Sequence, residues 1–79
     1  METSLVKEKI KDVLISVLDH NNFEMRDDLT AKDVDGWDSL SHMMIISKIE
    51  EMFTIKFKLR DLNKLKNMGS LVQVIQSKL

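Results

Sequence analysis

The chain has 79 residues, with 12 basic against 13 acidic side chains, two histidines and no cysteine; this fits one domain over residues 1–79 and excludes a disulfide framework or thiolate metal site, with no metal site expected. The near-cancelled charge argues against a nucleic-acid protein, and no apolar run approaches the ~20 residues that span a bilayer. The first residues, Met1-Glu2-Thr3-Ser4-Leu5-Val6-Lys7, hold no long apolar signal segment, so a cytoplasmic monomer with a core of aliphatic side chains is expected.

The first helix is expected over about Thr3 to Asp19. Val6, Ile10, Val13, Leu14 and Val17 recur there at three- and four-residue steps. Thr3 or Ser4 can cap its start, and His20-Asn21-Asn22 can stop it. A long connection follows, from about Asn21 to Trp37. Connections in compact domains are usually about 4–6 residues, so this one needs a reason. It carries Phe23, Met25, Leu29, Val34 and Trp37, which suit a loop pinned to the core. Thr30-Ala31-Lys32-Asp33 has capping-box spacing and can make one helical turn. Gly36 closes the segment, where it can adopt angles other residues avoid.

A second helix is expected from Asp38 or Ser39 to near Phe53. Ile45, Ile46, Ile49, Met52 and Phe53 form its apolar face, with His42 on the same side. Met44, Ser47, Lys48 and Glu51 form the opposite stripe. Thr54 to Leu59 reads as an extended loop, since one isolated strand has no partner. A short third helix is expected from Asp61 to Leu65. Met68-Gly69-Ser70 reads as a break, with Ser70 and Gln73 opening the last helix as a capping box. Leu71, Val72, Val74, Ile75 and Leu79 supply the core face of that helix. The sum is an all-α fold, a small bundle of three main helices and one short helix with a long ordered loop between the first and second.

The run Asp35-Gly36-Trp37-Asp38-Ser39-Leu40 sits at the loop–helix junction. Capping alone accounts for Asp38 and Ser39 there, since both residue types are ordinary N-caps. The two roles are compatible, because Asp38 can cap while the Ser39 hydroxyl stays exposed. A serine hydrolase pairing Ser39 with His42 lacks the G-x-S-x-G elbow. An EF-hand aligned on Gly36 puts Ala31 and His42 at two of the strongest ligand positions, so no calcium site is read. A helical interaction module without a prosthetic group explains the bundle equally well, but not the long loop ending in Trp37-Asp38-Ser39.

The run resembles the signature of the acyl carrier proteins, in which an Asp-Ser-Leu triplet opens the second helix. The resemblance spans nearly the whole chain, including the Glu50-Glu51-Met52-Phe53 ending and the short third helix. It implies a covalent 4′-phosphopantetheine, drawn from coenzyme A and attached at Ser39, and recognition of Asp38 by a phosphopantetheinyl transferase. It implies a carrier of thioester-bound acyl groups and not an enzyme, which explains why the chain needs no cysteine. Acyl-loading ligases or synthases and acyltransferases are its implied partners. A cleft between the second and third helices is implied for the acyl chain, with Met43, Ile46, Ile55 and Leu59 as candidate lining. D-alanyl or aminoacyl carriers share the Asp-Ser start and are not separated by the motif.

The chain departs from the fatty-acid carriers of this family in charge. Ser41 and Met44 stand where those carriers are usually acidic, and Lys48 adds positive charge. Lys56, Lys58, Arg60, Lys64 and Lys66 make the third-helix region basic. Drift on a solvated face is one explanation. The other is a free-standing carrier for a specialised fatty-acid, polyketide or related pathway, with Leu40, Met43, Met44 and Ser47 as its docking surface.

Overall fold

The structure is a computed structural model that describes residues 2–79. Its helices are α1 (Thr3–Leu18), α2 (Ser39–Phe53), α3 (Leu59–Leu62) and α4 (Met68–Lys78), with a 3₁₀ turn at Ala31–Asp33. No strand occurs among the described residues, and none of their helices is long and apolar enough to cross a membrane. Three long helices, one short helix and an ordered loop are the architecture the sequence led us to expect.

Helix α1 packs against both α2 and α4. Val6, Ile10, Val13 and Leu14 from α1 meet Ile45, Ile49 and Phe53 from α2, and Met68, Leu71, Val72 and Ile75 from α4, in one buried cluster. The helical spacing of these residues is what produces the cluster, because each stripe lies on one face. Val17 is only half-buried, while Met52 and Leu79 are exposed, so three expected core positions lie at or beyond the margin. Met52 stands over a groove at the edge of the α1–α2 contact, with Asp12, Val13 and Ser16 opposite.

The cap of α1 differs from expectation. Thr3 and Ser4 lie inside the helix, and Glu2 precedes it without a side-chain cap. The helix ends on Asp19 in the left-handed conformation (φ 61°), one residue before the expected stop. Helix α2 ends the same way on Thr54 (φ 56°).

The long loop is pinned as its apolar residues require. Leu29 and Val34 are buried, and Phe23, Met25 and Trp37 pack against the core. The Thr30–Asp33 turn forms, with Asp33 Oδ2 accepting from the Thr30 N–H and hydroxyl. Backbone bonds then fasten the loop to α4. The Met68 N–H donates to Leu29 O and the Gly69 N–H to Asp27 O, both at 2.8 Å. Two otherwise orphaned donors of the α4 N-terminus are satisfied in this way. Gly69 permits it, since a Cβ there would come within 3.2 Å of Asp27. Lys7 adds an ion pair from α1 to Asp27 at 2.7 Å.

Helices α3 and α4 begin earlier than the sequence suggested. Helix α3 starts at Leu59, and Asp61 reaches back to accept the Lys58 N–H at 2.8 Å. Helix α4 starts at Met68, capped by Asn67 Oδ1 accepting from the Ser70 N–H. Met68-Gly69 is therefore the first turn of the helix and not a break.

Asp61 also pairs with Lys78 at 2.8 Å, both largely buried, which ties α3 to the far end of α4. The Lys78 ammonium and the Lys58 N–H hold the Asp61 carboxyl below its usual value of 3.8. A carboxyl lowered in the folded state contributes stability above its unfolded value and loses it as pH falls. Asp61→Asn is therefore expected to lower the melting temperature at pH 7. The gap from wild type should narrow as pH falls below 3.8, as read by calorimetry at both ends of that range.

Candidate functional site at the start of helix α2

The turn that delivers Ser39 is set by Gly36, which has φ +84°. A Cβ there would meet only Leu18 Cδ2 at 3.7 Å, so the backbone conformation and not space demands glycine. Its carbonyl accepts the Ser41 hydroxyl at 2.7 Å. His20 braces the turn from the other side. Its Nδ1 accepts the Asn22 N–H, so Nε2 carries the proton and donates to Asp35 O at 2.7 Å. Nothing in the sequence signals this contact, which joins residues 15 apart in the chain.

Asp38 is the N-cap of α2. Its Oδ1 accepts the N–H groups of Leu40 and Ser41 at 3.0 and 2.9 Å. Its own N–H donates to Ser41 Oγ at 2.8 Å, completing a reciprocal box. The bonds from the Ser41 N–H and the Leu40 N–H hold the Asp38 carboxyl below the usual range. Asp38 is thus an exposed, ionised carboxylate, and its Oδ2 is left out of the capping bonds.

Ser39 is the first residue of α2 and is exposed. Neither its hydroxyl nor its N–H bonds to any described residue. Ser41, two residues on, is the opposite case, with its hydroxyl wholly engaged in the cap. The pair shows how one helix start uses one serine for structure and leaves the other free.

Trp37 and His42 form a unit beside this start. The Trp37 Nε1–H donates to His42 Nδ1 at 3.1 Å, and the rings stack at 6.1 Å with 24° between planes. His42 must therefore be neutral with its proton on Nε2. Partial burial pushes its pKa below 6.5. A histidine lowered on folding stays neutral while the unfolded chain protonates, so stability falls as pH drops from 6.5 through the folded value. Trp37 is the single tryptophan. Its fluorescence should titrate with an apparent pKa below 6.5, and that transition should vanish in His42→Gln.

Leu40, Met43 and Met44 are 75%, 58% and 50% exposed, and Ser47 is exposed with them. They share the outer side of α2. The four residues expected to line an acyl cleft do not meet in one cavity. Ile46 lines a small cavity of about 60 Å³ with Leu29, Trp37, His42, Leu65 and Leu71. Ile55 lines a separate open groove beside Ser47 and Glu50. Met43 and Leu59 line neither, being 58% and 77% exposed. The reason for Leu59 is that α3 is a single turn whose inward residue is Asp61, which leaves Leu59 outward. Among the described residues no cluster of three or more His, Asp or Glu side chains could hold a metal ion.

Residues 8–75 match the family model described as the phosphopantetheine attachment site. Among solved structures, the fold is similar to the solution NMR structure of the holo acyl carrier protein from Geobacter metallireducens. That match has 36% identity and a TM-score of 0.85, covering 92% of this chain and 84% of that one. No curated protein matches the chain.

Proposed function

The chain belongs to the acyl carrier protein family and carries a covalently attached 4′-phosphopantetheine, and from that premise we propose that Ser39 is the residue that bears the arm. The observation that carries this is the free, exposed Ser39 hydroxyl at the first position of α2, directly after a capping Asp38. When bound, the arm supplies a terminal thiol on which acyl groups are held as thioesters. The residues present fit it. The α2 N-terminus offers an unbonded Ser39 N–H and the positive end of the helix dipole to a phosphodiester.

This chain's own part in its loading is limited. Ser39 Oγ provides the oxygen that bonds to the pantetheine-side phosphorus of coenzyme A and gives up its hydroxyl proton, while the pyrophosphate P–O bond breaks and adenosine 3′,5′-bisphosphate leaves. Among the described residues no group bonds to Ser39 Oγ to take that proton, and His42 Nδ1 already accepts from Trp37. A serine hydroxyl needs such a base, so it comes from the transferase, consistent with a carrier and not an enzyme. Asp38 is positioned for recognition, with Oδ2 out of the cap and its charge secured by the capping bonds. Its partners in this reading are the transferase, an acyl-loading ligase or synthase, and acyltransferases.

The pathway is a specialised fatty-acid, polyketide or related one, a reading supported by the outer face of α2. Ser41 is half-buried in the cap and Met44 is exposed where an acidic pair is usual, with Lys48 beyond. The test of the carrier reading is intact mass after incubation with coenzyme A, magnesium and a broad-specificity transferase. A gain of one phosphopantetheine is expected. Folded protein of unchanged mass would overturn the reading.

A further inference from the structure

The formal net charge of −1 hides a division within the chain. Residues 1–38 hold ten acidic and five basic side chains, whereas residues 39–66 hold three acidic and six basic ones. The boundary falls at Ser39. On its basic side Lys48, Lys56, Lys58, Arg60, Lys64 and Lys66 are all exposed. None of them forms an ion pair among the described residues. Two of the three acids there are committed, Asp61 to Lys78 and Glu50 to the Phe57 N–H.

The basic segment meets α2 at two places, while Lys48 lies on the α1 side of that helix. Ile55 and Lys56 share a groove with Ser47, Glu50 and the exposed Glu51, near the end of α2. Leu65 and Lys66 share the small cavity with His42 and Ile46, near its start. Leu59 falls between these ends, between Lys58 and Arg60, and is more exposed than any other large apolar side chain described. Leu40, Met43 and Met44 are exposed on α2 itself. Apolar side chains at the centre with charge at the rim is the composition of a protein-docking patch. Its complement is an apolar socket ringed by Asp and Glu, since like charges facing each other across an interface are disfavoured.

We infer that this carrier docks its partner enzymes, the transferase among them, through a cationic α2–α3 face that meets an acidic partner surface, the reverse of the polarity of the fatty-acid carriers it resembles. The loop before Ser39 has the opposite sign, with Asp35 exposed and in no ion pair among the described residues and Asp27 and Asp28 exposed in pairs with Lys7 and Arg26, which makes the surface a dipole across the attachment site. That dipole fixes the orientation in which Ser39 approaches the partner's active site. The inference rests on the reading of Ser39 as the attachment residue.

The probe is a broad-specificity phosphopantetheinyl transferase in two forms, one with its basic carrier-docking face and one with those basic residues changed to glutamate. Each rate is taken relative to the same form's rate on a short Asp-Ser-Leu peptide. The acidic-faced form should load the full chain with a kcat/KM about tenfold higher at low salt, a gap that closes as salt is raised. Lys58→Glu/Arg60→Glu/Lys64→Glu should reverse the preference, and the corresponding triple Gln variant should abolish it. Circular dichroism establishes that both variants are folded. Equal loading of wild type by both forms, or preference for the basic face, overturns the inference and leaves Ser39 standing. Lysine-dependent sedimentation with phosphatidylglycerol vesicles, without preference between transferases, overturns it in favour of a lipid surface. Loading by neither form overturns the attachment reading and this inference with it.

Discussion

Ser39→Ala should abolish phosphopantetheine loading completely while leaving the fold unchanged. The substitution removes the one oxygen that forms the new bond, so the expected loss is total and not partial. It removes little else. The Ser39 hydroxyl makes no hydrogen bond to any described residue and is exposed. Surface changes away from special features usually alter stability by within about 0.5 kcal/mol, and alanine favours a helix more than serine does. The far-ultraviolet spectrum and melting temperature should therefore match wild type while intact mass shows no gain. Ser41→Ala is the informative contrast. It deletes the hydroxyl that donates to Gly36 O and accepts from the Asp38 N–H, a loss on the order of 1 kcal/mol for a hydrogen bond of this kind. It keeps the nucleophile. Ser41→Ala should melt earlier and still load fully. A loaded Ser39→Ala variant would move the attachment site to another hydroxyl.

The helices and the position of Ser39 were legible because each rests on a local rule. The α1 and α2 stripes follow from helical period alone, and Asp38 is a good cap wherever it precedes an apolar run. The boundaries of α3 and α4 are not legible in the sequence, for one shared reason. Asp61 and Ser70 both look like N-caps in sequence, and both are the third helical residue, reaching back to the backbone at the cap. A capping box has a polar residue at each end, and sequence does not say which end one is reading when Lys58 or Asn67 stands three places earlier. Gly69 further obscures the start of α4. Its glycine serves close approach to Asp27 and not a helix break. The Trp37–His42 bond was invisible for a different reason. It spans a turn whose shape depends on the φ of Gly36, and no periodicity encodes that. The candidate acyl-cleft residues are dispersed because Met43 and Leu59 both lie outward, Leu59 on a single-turn α3 whose inward residue is Asp61.

The second large effect belongs to the core. Ile49→Ala should bring the domain close to the limit of folding at ordinary temperature. Ile49 is fully buried in α2, within the cluster shared by α1 and α4. Truncating a buried isoleucine to alanine typically costs about 2–5 kcal/mol, combining lost transfer energy and the cavity left behind. Native domains have about 0.05–0.15 kcal/mol of stability per residue, so a chain of 79 residues has on the order of 4–12 kcal/mol in all. A single truncation is then at least about a sixth of the total and, at the upper end, all of it, and with no cysteine in the chain no disulfide limits the unfolded state. At roughly 4–8 °C per kcal/mol for a domain of this size, the melting temperature should fall by about 8–40 °C. Ile49→Val keeps most of the volume and should cost only about 0.5–1.5 kcal/mol. The two variants together separate packing from chemistry. Below its lowered melting temperature Ile49→Ala should still accept the arm, because nothing at the start of α2 has changed. If Ile49→Ala melted no earlier than Ile49→Val, α2 would not be held by this contact, and the rigid support assigned to Ser39 would have to come from the loop alone.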